Sequence, residues 1–152
     1  MNQKWTRVLL IAATLVVLLG VNASIFGVER IRRHGERIFL ELAPVDPRSL
    51  MQGDYMALRF AIADGIDAKG DGQASVNVDE RGVATLSGDG KGTLRLAYRL
   101  RGGRVWLGTN AFFFEEGTAS RYTLARYGEF RVDRNSGEAV LVSLRGPGLE
   151  PL

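Results

Sequence analysis

The chain of 152 residues has no cysteine and a single histidine, His34. The first absence excludes disulfides, thiolate metal sites and a cysteine nucleophile. The second removes multi-histidine metal centres, and zinc held by three or more carboxylates alone is an unusual ligand set. Lysine is almost as scarce. Beyond Lys4 there are only Lys69 and Lys91, both in glycine-rich stretches where an ammonium group stays solvated and protonated. A Ser–Lys dyad, which needs a lysine whose pKa burial has lowered, therefore lacks its base. Asp64, Asp67 and Asp71 alternate with Gly65, Gly70 and Gly72 without EF-hand spacing. They read as a solvated loop, with oxygen-ligated Ca²⁺ as the alternative. No repeat and no second domain is visible, and the sequence calls for no cofactor.

The net charge of +3 suggests a nucleic-acid partner until the charges are placed. From residue 38 onward, 14 Lys and Arg stand against 15 Asp and Glu. The basic excess is local, at Arg30, Arg32, Arg33 and Arg37, directly after an apolar segment. Arginines in that position suit lipid headgroups, and no nucleic-acid function is supported.

Residues 8–28 carry no charged side chain, and their polar types are Thr14, Asn22 and Ser24. As a helix rising about 1.5 Å per residue, the run spans about 30 Å, the thickness of a hydrocarbon core. Lys4 and Arg7 form a signal-like positive n-region, and Val21-Asn22-Ala23 offers a cleavage site before Ser24. Ile25, Phe26 and Val28 nevertheless carry the run beyond the usual signal core. We expect residues 1–28 to be a retained anchor, or an uncleaved signal, that meets membrane lipid through residues 8–28. Residues 29–37 form a juxtamembrane segment in which the helix continues into the interface and Gly35 ends it. Counting cations on each side favours a cytoplasmic C-terminal part, whereas the signal-like n-region favours the opposite.

Beyond the membrane segment the period changes. Ile38, Leu40 and Leu42 alternate with Phe39, Glu41 and Ala43, the two-residue repeat of a strand. After Gly53 a second alternation sets Met56, Leu58, Phe60 and Ile62 against Tyr55, Ala57, Arg59 and Ala61. Between them, Asp46-Pro47 reads as a capping pair, in which the carboxylate accepts from later N–H groups and Pro needs no partner of its own. One helical turn over residues 48–51 follows, and Gly53 supplies the positive φ that returns the chain to the sheet.

Short strands are predicted over residues 74–79, 83–87, 93–100 and 105–107, with residues 111–114 extending the last or starting another. Arg101-Gly102-Gly103-Arg104 is a two-glycine hairpin signal. A helix is predicted over residues 119–127, capped by Thr118 and closed by Gly128, on the spacing of Tyr122, Ala125 and Arg126. Residues 129–133 and 139–144 form a final hairpin across Asn135-Ser136-Gly137, and residues 146–152 are an irregular tail. The fold class is mainly β: an N-terminal transmembrane helix, then a small antiparallel sandwich or partly open barrel over residues 38–145, with one short helix.

Val45-Asp46-Pro47-Arg48 followed by Gly53-Asp54-Tyr55 and Leu58 resembles the signature of the GDYXXLXY family of membrane-anchored bacterial proteins. The family's final Tyr is Phe60 here, which suits a ring that packs in the core. Phe112-Phe113-Phe114-Glu115-Glu116-Gly117 is similar to its aromatic-then-E-G segment. Residues 125–133 and 139–145 are similar to its closing segments, so the likeness covers about residues 38–145. The family has no settled activity. The resemblance implies a domain outside the cytoplasm, in the periplasm at the bacterial inner membrane, and a companion role beside a polytopic membrane protein.

Asp46 and Arg48 have two readings. They cap and brace the turn, with Arg48 paired to Asp54 or Glu41, or they hold an anionic group in the planar Arg fork. Gly53-Asp54 also has a local likeness to bacterial signal peptidases, with Ser49 in the place of their nucleophile. Glu115 and Glu116, adjacent on a strand, point to opposite faces and suit a helix-start charge better than an acid pair. Phe112 and Phe114 should be buried together, turning Phe113 outward as a contact for a partner or the bilayer. The candidate site residues are thus Asp46, Pro47, Arg48, Gly53, Asp54, Tyr55, Leu58, Phe60, Phe113, Glu116 and Gly117. The expected function is a non-enzymatic, membrane-anchored interaction module. The alternatives are a tethered hydrolase or peptidase using Ser49 or Asp46/Asp54, and an envelope domain that binds a small ligand.

Overall fold

The computed structural model describes residues 3–43, 51–52 and 55–152. Helix α1 (Gln3–His34) holds the apolar run, whose most apolar 18-residue stretch has a mean hydropathy of 2.5, and by length and composition the helix could cross a membrane. The three polar side chains in the run are silenced within the helix. Thr14 Oγ1, Asn22 Nδ2 and Ser24 Oγ donate to the carbonyls of Leu10, Leu18 and Gly20 at 2.9, 2.8 and 3.0 Å. Each side chain is thereby engaged by the helix's own backbone.

Gly35 ends α1 as expected, and its N–H reaches Ile31 O at 2.7 Å. The need for glycine is steric. A Cβ at position 35 would lie 2.5 Å from Ile31 O and 2.9 Å from Val132 N. The bare backbone lets the last helical turn sit directly on the β domain, where Ile31 is buried.

Among the described residues ten strands follow: β1 (Glu36–Glu41), β2 (Met51–Gln52), β3 (Tyr55–Ala57), β4 (Gly72–Val78), β5 (Ala84–Leu86), β6 (Leu94–Arg101), β7 (Arg104–Trp106), β8 (Ala111–Phe113), β9 (Tyr127–Val132) and β10 (Ala139–Arg145). They form three antiparallel sheets, ordered β1-β9-β10, β2-β3-β8 and β5-β4-β6-β7. Bridges between the sheets curl them into a half-barrel. Phe39 N–H donates to Gly82 O at 2.8 Å, Ala43 N–H to Arg59 O at 2.8 Å, and Ala97 N–H to Gly137 O at 2.8 Å. Inside lie Ile38, Leu40, Val76, Leu96, Leu107, Phe130, Val132 and Leu144, all fully buried. The fold is mainly β, as its periodicities indicate.

Turn chemistry follows the glycines. Gly102 and Gly103 both take positive φ, 56° and 73°, in the β6–β7 hairpin, the geometry a tight two-residue connection requires. In the β9–β10 hairpin the Asp133 carboxylate accepts from the N–H groups of Asn135 and Ser136 at 2.8 and 3.0 Å. Those bonds, Ser136 first, hold its pKa below the usual carboxylate value. At Asp89, the Ser87 hydroxyl and then the Lys91 N–H lower the pKa in the same way.

Four expectations are corrected. Met51, expected to close a helical turn, instead pairs with Met56 in β2. The helix over 119–127 is a single 3₁₀ turn, Ala119–Tyr122, without a side-chain cap from Thr118, whose hydroxyl instead donates to Glu115 O. Gly128 ends no helix. It lies inside β9, paired with Leu40 on one side and Leu144 on the other, where a Cβ would meet the rings of Phe60 and Phe130 at 3.0 Å. The second strand does not run on to Ile62: the chain turns into a 3₁₀ segment, Ala61–Gly65, that leaves Ile62 half-buried against the core.

Candidate functional site

Strand β3 is the centre of the site because it joins two stretches far apart in the chain. It pairs antiparallel with β8 in the register Tyr55↔Phe113, Met56↔Phe112 and Ala57↔Ala111, and Leu58 N–H extends the ladder to Asn110 O at 2.7 Å. On its other side Met51 and Gln52 of β2 pair with Met56 and Tyr55. Strand alternation then sorts the side chains. Met56 is buried and Phe112 packs against the core, while Tyr55 and Phe113 face outward. Phe113 keeps 74% of its exposure and Tyr55 37%. Their ring centroids are 5.9 Å apart and tilted by 40°, within the range of a favourable aromatic pair.

The rings beneath are braced by Tyr122 on the 3₁₀ turn. It meets Phe112 edge-on at 5.1 Å and Phe114 at 5.4 Å. Phe113, Phe114, Glu115, Thr118, Arg121 and Tyr122 line an open hollow of about 440 Å³ beside the aromatic pair. The surface therefore offers an exposed aromatic face, a shallow recess and charges of both signs.

The candidate residues divide in three. Tyr55 and Phe113 come together on this face, and Glu116 and Gly117 lie exposed just past β8, with Gly117 at φ 81°. Leu58 and Phe60 are core residues. Phe60 keeps 2% of its exposure and meets Phe130 edge-on at 5.1 Å, so its ring packs and no hydroxyl is needed there. Asp46, Pro47, Arg48, Ser49, Gly53 and Asp54 lie outside the described residues. Glu41 pairs with Arg126 at 2.7 Å.

Among the described residues, no group of three or more His, Asp or Glu could hold a metal ion. Two of the glycine-rich loop's three acids are engaged separately: Asp64 with Arg59 at 2.8 Å, and Asp71 with the Leu100 N–H at 2.8 Å.

One polar cluster escaped the sequence reading. Glu129, only 4% exposed, accepts from Arg145 Nε at 2.7 Å and from its Nη2, and from Ser143 Oγ at 3.1 Å. Nothing local marks this glutamate as buried, because its partners come from β10. The three bonds converge on Glu129 Oε2 and tie β9 to β10.

A family model described as GDYXXLXY protein matches residues 17–144, most of the chain. No curated protein and no solved structure matches it.

Proposed function

We propose, from the premise that the chain belongs to the GDYXXLXY family, that it is a non-enzymatic interaction module held at a bacterial inner membrane. In this reading α1 is a retained single-pass anchor and the β domain stands in the periplasm, as an accessory subunit of a polytopic membrane protein. The observation that carries it is the Tyr55–Phe113 face. Two segments that resemble family signatures are brought into register on neighbouring strands, and a Phe that the core does not use stands outward at their junction. A large exposed aromatic beside a partner-sized recess is the kind of anchor that dominates protein contacts. Helix α1 supports the membrane part by length and composition, a property shared by anchors and signal sequences.

Affinity purification of the tagged full chain in mild detergent tests the role. A polytopic protein should co-purify with the natural chain and be lost from Phe113→Ala, whose fold is unaffected. A chain that always elutes alone would overturn the proposal. Orientation is tested by one introduced thiol, Asn135→Cys, at the exposed tip of the β9–β10 hairpin. Labelling by an impermeant maleimide in intact spheroplasts supports a periplasmic domain, and labelling only after lysis refutes it.

A further inference from the structure

We infer that the outer face of the β6–β7 hairpin binds headgroups of acidic phospholipids in the same bilayer that α1 enters. The inference rests on α1 as a retained anchor and concerns a surface that the Tyr55–Phe113 face does not include.

Strand alternation puts Arg95, Arg99 and Arg101 on one face of β6, away from the buried Leu94 and Leu96. The hairpin register adds β7 residues to that face: Trp106 lies opposite Arg99, and Arg104 opposite Arg101. The Arg101 guanidinium sits over the Trp106 ring at 5.7 Å. Among the described residues none of these four arginines makes an ion pair with an acid. Arg99, Arg101 and Arg104 gather three cations beside one indole at the end of the hairpin, and their mutual repulsion is relieved by an anionic surface laid against them.

The occupant follows from position. A groove of about 850 Å³ has Arg99, Arg101 and Trp106 on one wall, and Val28 and Ile31 of α1 on another. Val28 is the last residue of the uncharged run. Residues three further along a helix lie about 4.5 Å beyond it, inside the headgroup layer of about 5–8 Å that flanks the hydrocarbon core on each side. The groove therefore opens where phosphate groups are, and Trp106 is placed as interfacial tryptophans are. Two acids also line it, Asp71 and Glu138. Asp71 also accepts from the Leu100 N–H, and with Glu138 it sets two carboxylates against the two lining arginines, so the excess positive charge of the face lies at Arg95 and Arg104 beyond the groove. Anionic phospholipid satisfies both walls, with phosphate toward the guanidinium groups and acyl chain toward Val28.

The chain has two tryptophans, so Trp5→Phe makes Trp106 the sole indole of the full-length protein. That protein is reconstituted into phosphatidylcholine vesicles holding nitroxide-labelled phosphatidylglycerol, or identically labelled phosphatidylcholine at equal mole fraction. Preferential quenching of Trp106 by the labelled phosphatidylglycerol is expected. The preference should fall by up to about fivefold for each arginine removed in Arg99→Gln, Arg101→Gln and Arg104→Gln, and should weaken in high salt. Should the triple variant not fold, the single variants and the comparison of the two lipids still decide. Equal quenching by both lipids overturns the inference. So does an indole shielded from both nitroxide lipid and aqueous iodide, which would show that protein covers the face. Flotation of the vesicles separates the two premises. Protein that fails to float refutes the anchor, whereas floating protein with unquenched Trp106 refutes only the headgroup contact.

Discussion

Glu129→Ala should be among the most damaging single changes outside the apolar core. The carboxylate is buried, and it accepts from two nitrogens of Arg145 and from the Ser143 hydroxyl. Removing it strands a guanidinium whose side chain keeps only 21% of its exposure. Breaking a buried pair from one side costs about 3–5 kcal/mol, because the remaining charge has lost water and gained nothing. Since some water still reaches Arg145, the lower end applies, about 3 kcal/mol. The orphaned Ser143 hydroxyl lies within that figure. At about 4–8 °C per kcal/mol for a domain of roughly this size, the melting temperature should fall by about 12 °C or more. The assay is thermal unfolding of the full chain in detergent micelles, followed by the β-sheet circular dichroism. Glu129→Leu combined with Arg145→Met is the decisive companion, since it removes both charges and leaves no ion behind. It should be more stable than Glu129→Ala alone by at least about 1 kcal/mol. A single variant within about 1 kcal/mol of the natural protein would refute the claim that this charge is desolvated. A double variant as unstable as the summed singles would refute the stranded-charge argument itself.

Gly128→Ala should lose about 1–3 kcal/mol by overpacking, because its Cβ meets Phe60 and Phe130 at 3.0 Å and Leu141 at 3.1 Å; urea unfolding reads this directly. Phe113→Ala should change stability by less than about 0.5 kcal/mol, whereas Phe130→Ala, fully buried, should cost about 3–5 kcal/mol. Equal effects in the same melts would contradict the assignment of the two faces. The Asp133 carboxylate has a lowered pKa in the folded protein, held there chiefly by the Ser136 and Asn135 N–H groups. Its stabilisation is therefore present above the ordinary carboxylate pKa and is lost as pH falls through the folded value. The destabilisation by Asp133→Ala should accordingly be full at neutral pH and shrink in acid, and a gap in urea midpoint that stays constant below the carboxylate range would show that the charge is not involved.

The elements whose cause is local were legible. An uncharged run, a terminal glycine and a two-residue apolar period depend only on near neighbours. Accordingly α1, β1 and the hairpins at Gly102-Gly103 and Asn135-Ser136-Gly137 lie where they were expected. Pairing across the chain was not legible, and the errors follow from it. Tyr122, Ala125 and Arg126 have helical spacing, yet each answers to a distant demand: Tyr122 to the rings of Phe112 and Phe114, Ala125 to the core, and the Arg126 N–H to Arg145 O at 2.8 Å. Gly128 looked like a helix stop because a glycine's local meaning is a turn. Its actual reason is the approach of two aromatic rings, one from β9 itself and one from the segment after β3. Glu129 was missed on the same ground, since its counter-charge comes from the neighbouring strand. Nothing in the sequence groups the β6 arginines, and only the hairpin register and the foot of α1 make them one face.

That division of causes separates packing from function within the signature itself. Met56, Leu58 and Phe60 sit two apart and all enter the core, so the need to fill a half-barrel accounts for the apolar side chains at those positions. Phe60 in place of the family's tyrosine fits the same account, because a ring against Phe130 does the packing with or without a hydroxyl. Core packing does not account for the alternate positions. Tyr55 lies on the outward side of the same strand, and β8 brings Phe113 to meet it from the second signature-like segment. A fold indifferent to that face would place polar side chains there. Two aromatics in register on the solvent side are costly to leave in water and contribute little to the core. Phe113 is therefore the residue on which the proposed docking role turns, and the Phe113→Ala purification, which leaves the fold intact, tests function more directly than any change inside the barrel.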